Sequence, residues 1–495
     1  MNTPLRRVSL VVMGLIVLLL GQATWVQVVK ADEYKANQYN QRVLLDEYSH
    51  QRGQISANGE VLAGSVPTND KLKYLRQYTN GPMYAPITGY YSQIYGSNGI
   101  ERAEDSILNG SDDKLFVRRI SDVITGRAPA GGNVALTIDP KVQQAAYDAM
   151  TSKGYTGSVV AIRPQTGEIL AMVSTPSYDP NPLASHDGAA QKAAWNALNP
   201  NSPDSPLIDR AISNTYPPGS TFKLVSTAAA LDAGMVTPDT PVTAAPRITL
   251  PDGTTTLENY NGEACGSGAT VPLSVAFAKS CNGPFAQLAD QLGGDKLKAM
   301  ATALGMENPS QTIPMPVAES DVGDLSDASA LAQSGIGQRD VRMTPLQNAM
   351  ITATIANGGV PVSPHLVSEI QGSDLSVVDT TSPDRGSRAF SSSTASTLTQ
   401  LMIGSENGGT GSTSSGKIPG VQLASKTGTA EQGPTPKTSP PHTWYDVFGP
   451  VPDPQVAVSV IVEKGGNRGD DATGSSVAGP IGRAVVAAAL QQGGR

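Results

Sequence analysis

The chain has 495 residues, of which 39% are hydrophobic and 16% charged, with a net charge of -8. That profile excludes a disordered chain, and the length predicts two or three domains. The sequence has no basic arm and no interleaved aromatic and basic residues, which argues against nucleic-acid binding. The histidines His50, His186, His365 and His442 are scattered without ligand spacing, so neither a metal nor another cofactor is expected.

Arg6 and Arg7 precede an apolar run from Val8 to Val29 that is just long enough to span a bilayer, with Trp25 near its outer end. A cleaved signal peptide carries the same charge pattern, usually on a shorter apolar core. The preferred reading is an uncleaved anchor: residues 1–7 cytoplasmic, 8–29 in the cytoplasmic membrane, and the remainder outside it. The two cysteines, Cys265 and Cys281, would then meet an environment that permits a disulfide. Such a bridge would contribute about 3 kcal/mol in the chain-entropy model. Two free buried thiols are the alternative.

Residues 30–155 read as a mixed, polar N-terminal module. Arg42–Asp46 is a short strand, and residues 51–63 read as strand, turn, strand about Asn58-Gly59, a strong hairpin signal. The Gly/Pro-rich tract Gly126–Gly132 punctuates the chain. Val134–Asp139 is a strand, and Pro140 opens an amphipathic helix to about Met150. Gly157–Ile162 and Glu168–Val173 form an apolar hairpin. A short helix follows at 189–198. Residues 220–360 are mainly helical, with a β-rich insertion near Ile248–Leu257. Gly404–Gly416 is a Gly/Ser/Thr-rich tract expected to be mobile. Strands at 421–429, 444–448 and 456–462 and a helix at 479–490 close the chain. Early strands, a helical middle, and late strands with a helix describe an α+β layer fold whose sheet draws on both ends of a domain.

Three motifs carry chemistry in this frame. In Tyr216-Pro-Pro-Gly-Ser-Thr-Phe-Lys223, the prolines and Gly219 resist helix, and Ser220 opens an apolar, alanine-rich one. Lys223 falls one turn later on the same face. Burial and the positive helix end favour a neutral lysine, which can serve as general base for a hydroxyl. An ordinary capped helix with a surface lysine is the bland alternative. Spacing alone does not decide, because Ser111–Lys114 and Ser414–Lys417 match it too. Ser280-Cys-Asn282 lies between two predicted helices, where a hydroxyl and a carboxamide can relay a proton and hold an amide. Ser56–Asn58 and Ser405–Asn407 share that pattern. Lys426-Thr-Gly428 ends an apolar strand, where lysine and hydroxyl suit a carboxylate and Gly428 admits a close backbone. Lys437-Thr438-Ser439 is a decoy flanked by prolines. The ordered trio, each member in the right local context, is far more specific than any one motif.

With these motifs the chain resembles the class B, monofunctional penicillin-binding proteins, in particular those of actinobacteria such as mycobacteria and corynebacteria. The resemblance extends to Arg52-Gly-Gln-Ile55, Ile100-Glu-Arg102, Leu108-Asn-Gly110, Arg210-Ala-Ile212, Gly337-Gln338, Thr344-Pro-Leu-Gln347 and Trp444-Tyr445, over almost the whole chain. It implies an anchored, β-rich pedestal of the dimerisation type at 30–155 and a transpeptidase domain at 156–495. That domain would have a central antiparallel sheet, helices on both sides and an all-helical subdomain. It also implies a D,D-transpeptidase that cross-links peptidoglycan stem peptides from a lipid-linked precursor and is acylated by β-lactams. Divisome proteins, including a glycosyltransferase, would be its partners. Carried over by motif, Ser220 is the nucleophile, Lys223 its base, Ser280 a proton relay and Asn282 a holder of the peptide amide. Lys426, Thr427, Gly428 and Thr429 would form the carboxylate-binding edge, and the N–H groups of Ser220 and Thr429 the oxyanion hole. A Cys265–Cys281 bridge would tether the Ser280–Asn282 loop.

A β-lactamase shares the trio, but no Glu-x-x-x-Asn pattern lies between Asn282 and Lys426 to activate a water. A D,D-carboxypeptidase differs only in its acceptor. A non-catalytic divisome scaffold is the reading of another class, and an intact trio argues against it.

Overall fold

The computed structural model describes residues 2–30, 48–116, 130–432 and 439–491. The strand expected at 42–46, the start of the Gly126–Gly132 tract and most of the Lys437–Ser439 decoy lie outside them. At the N-terminus, Thr3–Val29 is a 27-residue helix long and apolar enough to cross a membrane. At 1.5 Å per residue it measures about 40 Å.

The expected hairpin is present as strands Ile55–Ala57 and Glu60–Pro67, closed by Asn58 and Gly59, which both have positive φ. Its sheet has six strands, in the order Val377–Thr380, Val367–Gln371, Asn133–Leu136, Ile55–Ala57, Glu60–Pro67, Tyr74–Tyr78. Two strands from far downstream therefore complete the N-terminal sheet, a pairing that local sequence does not signal. Beside it Glu101, fully buried, accepts from Arg52 Nε (2.7 Å), Arg76 Nε (2.5 Å) and Tyr78 OH (3.1 Å). A buried carboxylate persists only when paired in this way. Arg52 and Glu101 thus have structural work in the N-terminal module.

The second sheet is antiparallel, in the order Ala424–Ala430, His442–Gly449, Val456–Val462, Gly157–Ile162, Ile169–Thr175. Its strands are buried on both faces because helices cover both. Helices Pro140–Thr151 and Gly479–Leu490 pack on one side, and Pro345–Ala356 on the other. Asp139 caps the first, accepting from the N–H groups of Lys141 and Val142, and Thr344 caps the last through the N–H of Gln347. Residues 140–151 precede position 156, yet Val142, Ala146 and Met150 bury themselves against this second sheet.

The helical part comprises Lys223–Asp232, Leu273–Ala278, Asn282–Leu292, Gly294–Ala303, Ala328–Ser334 and Ser392–Gly408. The β-rich insertion is two short ribbons, Pro241–Thr243 with Thr270–Pro272 and Arg247–Thr249 with Thr256–Glu258. The tract expected to be mobile is held at Ser405, Glu406 and Gly411, while Ser412 and residues 414–416 are exposed. Residues up to Gly408 finish a helix in which Ser405 and Glu406 are buried. Beyond it, Arg483 donates to the carbonyls of Gly411 and Ser415. A Gly/Ser composition lowers local preference for order, and a buried guanidinium overrides it here.

Candidate active site

The turn before Ser220 is clamped on every side. Gly219 has φ +54° and donates its N–H to Gly337 O (2.8 Å). Trp444 Nε1 donates to Pro217 O (3.0 Å), Thr221 Oγ1 to Pro218 O (3.0 Å) and Tyr216 OH to Glu463 Oε1 (2.7 Å). The chain then makes a 3₁₀ turn, Gly219–Phe222, before the α-helix begins at Lys223. Ser220 therefore sits on the lead-in turn, just ahead of the α-helix it was expected to open. The turn touches the end of strand Ala424–Ala430: a Cβ on Gly219 would lie 3.0 Å from Thr429 O, and one on Gly428 2.9 Å from Pro218 O. Glycine at 428 permits that approach.

Lys223 is fully buried, with its ammonium beside the Phe285 ring (5.4 Å to the centroid). Nζ donates to Ser280 O (2.8 Å), Asn282 Oδ1 (2.9 Å) and Cys281 O (3.0 Å), with Ser280 Oγ at 3.5 Å. Burial, reinforced by the charge of Lys426, pushes its pKa well below the usual lysine value. A neutral amine has two N–H donors and one lone pair, so losing the proton releases one of the three close acceptors. Among the described residues no hydrogen bond joins Nζ to Ser220 Oγ; such bonds commonly tighten only around bound substrate.

Ser280 adopts φ +55°, a left-handed conformation costly for a residue with a Cβ. Lys426 Nζ donates to Ser280 Oγ (2.8 Å) and to Thr427 O (2.9 Å). Both lysines thus converge on Ser280. Lys426 is buried against the Phe277 ring, and burial lowers its pKa to about 7 despite the opposing effect of Asp446. Thr427 Oγ1 donates to Thr410 Oγ1 (2.6 Å). Asn282 donates its N–H to Asn259 Oδ1 (2.8 Å) and its Nδ2 to Glu258 O (2.8 Å). Its side-chain amide is thereby committed to Lys223 and Glu258. Cys265 and Cys281 are bonded to each other, Cα atoms 6.0 Å apart, fastening the β insertion to the same loop.

All three motifs meet around Ser280. Two of the decoys do not join them: Lys114 is an exposed partner of Asp379, and Ser405–Asn407 lies inside helix Ser392–Gly408. Three residues of the neighbourhood escaped sequence reasoning. Fully buried Asp446 faces Lys426 across the strand pair; its Oδ1 accepts from Ser459 Oγ (2.7 Å) and Asn348 Nδ2 (3.2 Å). Asn348 Nδ2 also reaches Thr221 Oγ1 (3.2 Å), linking the sheet to the Ser220 turn. Burial raises the Asp446 pKa well above the carboxylate range, opposed by Ser459, Lys426 and Asn348. A lone carboxylate within Trp444–Phe448 was the available signal; Asn348 and Thr410 offered none. Among the described residues no cluster of His, Cys, Asp and Glu could hold a metal ion.

Residues 157–487 match the family model of the penicillin binding protein transpeptidase domain, and residues 52–134 that of the penicillin binding protein A dimerisation domain. The chain is 57% identical to the peptidoglycan D,D-transpeptidase PbpA of Mycolicibacterium smegmatis, covering 100% of both. It is 54% identical to PbpA of Mycobacterium tuberculosis, covering 99% of each. The structure of M. tuberculosis penicillin-binding protein A as a ceftriaxone acyl-enzyme superposes with a TM-score of 0.87 at 54% identity, over 90% of this chain and 100% of that one. Its penicillin G acyl-enzyme gives 0.85 at 52% identity over the same shares.

Proposed function

The chain belongs to the penicillin-binding protein transpeptidases, and from that premise we propose that the site around Ser220 performs the family's acyl transfer. The protein is a peptidoglycan D,D-transpeptidase of class B, acylated by β-lactams. One observation carries the assignment of its site: Lys223 and Lys426, both buried, converge on Ser280 beside the clamped turn that presents Ser220.

In this reading Ser220 Oγ attacks the penultimate D-Ala carbonyl of a donor stem peptide while Lys223 takes its proton. The N–H groups of Ser220 and Thr429 receive the oxyanion, an interaction worth about 3 kcal/mol of barrier. As the tetrahedral intermediate collapses, the C–N bond breaks and the proton taken by Lys223 is relayed through Ser280 to the leaving D-Ala amine. An acceptor amine then attacks the ester, and Ser220 recovers its proton. Lys426 and Thr427 hold the terminal carboxylate, and Gly428 leaves room for the peptide backbone. Asn282 holds the peptide amide after exchanging one of its present partners. The anchor, 1–7 inside and 8–29 in the membrane, places a pedestal at 30–155 and the transpeptidase domain at 156–495 outside it. Divisome proteins, including a glycosyltransferase supplying nascent strands, are the partners proposed.

The product ratio tests the acceptor. With a D-Ala-D-Ala stem peptide and an amine-bearing acceptor peptide, the full-length protein is expected to form the cross-linked product in excess of the hydrolysed one. Hydrolysis alone at saturating acceptor would make it a carboxypeptidase.

A pH measurement tests the two lysines. Lys223 must be neutral to act as base, so acylation is present above its folded pKa and lost as pH falls through it. The charge of Lys426 helps depress that pKa. Lys426→Gln is therefore expected to move the acid limb of the acylation rate to higher pH, besides slowing acylation. An acid limb unmoved or shifted to lower pH would contradict the coupling.

A further inference from the structure

We propose that Thr410 is a positioning residue for the carboxylate-binding edge, acting through the hydroxyl of Thr427. The inference rests on the reading that Thr427 engages the substrate or β-lactam carboxylate. Thr427 Oγ1 donates to Thr410 Oγ1 at 2.6 Å, so the hydrogen of Thr427 is committed in this structure. To bind a carboxylate, Thr427 must turn that hydrogen to the ligand. Thr410 then reverses the bond, donating its own O–H to the oxygen Thr427 keeps. The result is a chain from Thr410 to Thr427 to carboxylate, in which each hydrogen bond polarises the next.

The turn carrying Thr410 is built to hold that hydroxyl still. Thr410 N–H donates to Ala278 O (2.9 Å), the last residue of the helix leading to Ser280. A Cβ on Gly409 would lie 2.1 Å from that same oxygen, and one on Gly411 2.7 Å from Ser425 Oγ, next to Lys426. The turn is thus wedged between the elements bearing the second and third motifs, closely enough to require glycine on either side of Thr410. From behind, Arg483 grips Gly411 O and Ser415 O while its Nε and Nη2 pair with Glu406 Oε1 (2.9 and 2.7 Å). Glu406 Oε2 in turn accepts from Ser425 Oγ and Tyr445 OH on the active-site strands. The Thr410–Thr427 bond therefore joins two rigid supports.

Stopped-flow acylation of the full-length protein by benzylpenicillin, resolving the pre-covalent Kd from the acylation rate constant, tests this. Thr410→Val is expected to raise Kd about five- to tenfold, the loss of one supporting hydrogen bond, with the rate constant within about twofold. Thr410→Ser should restore wild-type binding, a rescue that a purely steric role of the threonine would not give. Thr427→Val should weaken binding more, and Thr410→Val/Thr427→Val should be no worse than Thr427→Val alone. If valine fails to fold, Thr410→Ala replaces it in the same comparison. An unchanged Kd in Thr427→Val would overturn the carboxylate reading itself. A weakened Thr427→Val with an unaffected Thr410→Val, an additive double variant, or a serine that fails to rescue would overturn the role of Thr410.

Discussion

Lys223→Met is expected to lower the rate of acylation by a penicillin about 10²–10⁴-fold, the range associated with a positioned general base. Methionine keeps the length and apolar stem of lysine, so the pocket formed with Phe285 stays filled. The lost amine stands three positions after Ser220 and is the group assigned to accept its proton. Its three close acceptors, Ser280 O, Cys281 O and Asn282 Oδ1, lose a donor, so part of the effect would be a looser Ser280–Asn282 loop. The bridge to Cys265 and the bonds to Asn259 limit that loosening. Near-UV circular dichroism checks the fold, and stopped-flow acylation checks the rate. A rate within tenfold of wild type would transfer the base role elsewhere.

Arg483→Met is expected to destabilise the transpeptidase domain by about 3–5 kcal/mol, the effect of removing one partner of a buried ion pair. Arg483 is fully buried, and Glu406 nearly so, with Ser425 and Tyr445 also bonded to that carboxylate. Removing the guanidinium leaves a buried negative charge and frees the carbonyls of Gly411 and Ser415. Urea unfolding of wild type, Arg483→Met and Arg483→Met/Glu406→Gln measures it. The double variant should recover part of the loss, because a neutral amide then replaces the buried carboxylate. A single-variant effect below about 1 kcal/mol would show the pair to be incidental.

These two effects mark where local sequence was and was not informative. Ser220, Lys223, Ser280, Asn282 and Lys426 lie near one another because the first two motifs sit at helix ends whose pattern was legible, while Lys426–Gly428 falls within strand Ala424–Ala430 and not at its end as expected. Asp139 and Pro140, or Thr344 and Pro345, announce their helices just as clearly. What stayed hidden is long-range. Strands 367–371 and 377–380 join a sheet begun at Ile55 because Asn133–Leu136 leaves an edge open to them. Glu406 meets Arg483 across 77 positions, and neither residue type predicts its partner. That pairing is also why a Gly/Ser tract that reads as mobile is held against the site. Thr410 acquires its place only through that fold.

Acylation of Ser220 is the step on which every role assigned to the site depends. Incubating the full-length protein with benzylpenicillin and mapping the adduct by peptide mass spectrometry tests it most directly. A persistent penicilloyl group is expected on the peptide containing Ser220, absent from Ser220→Ala. An adduct on another residue, or one that survives in Ser220→Ala, would contradict it.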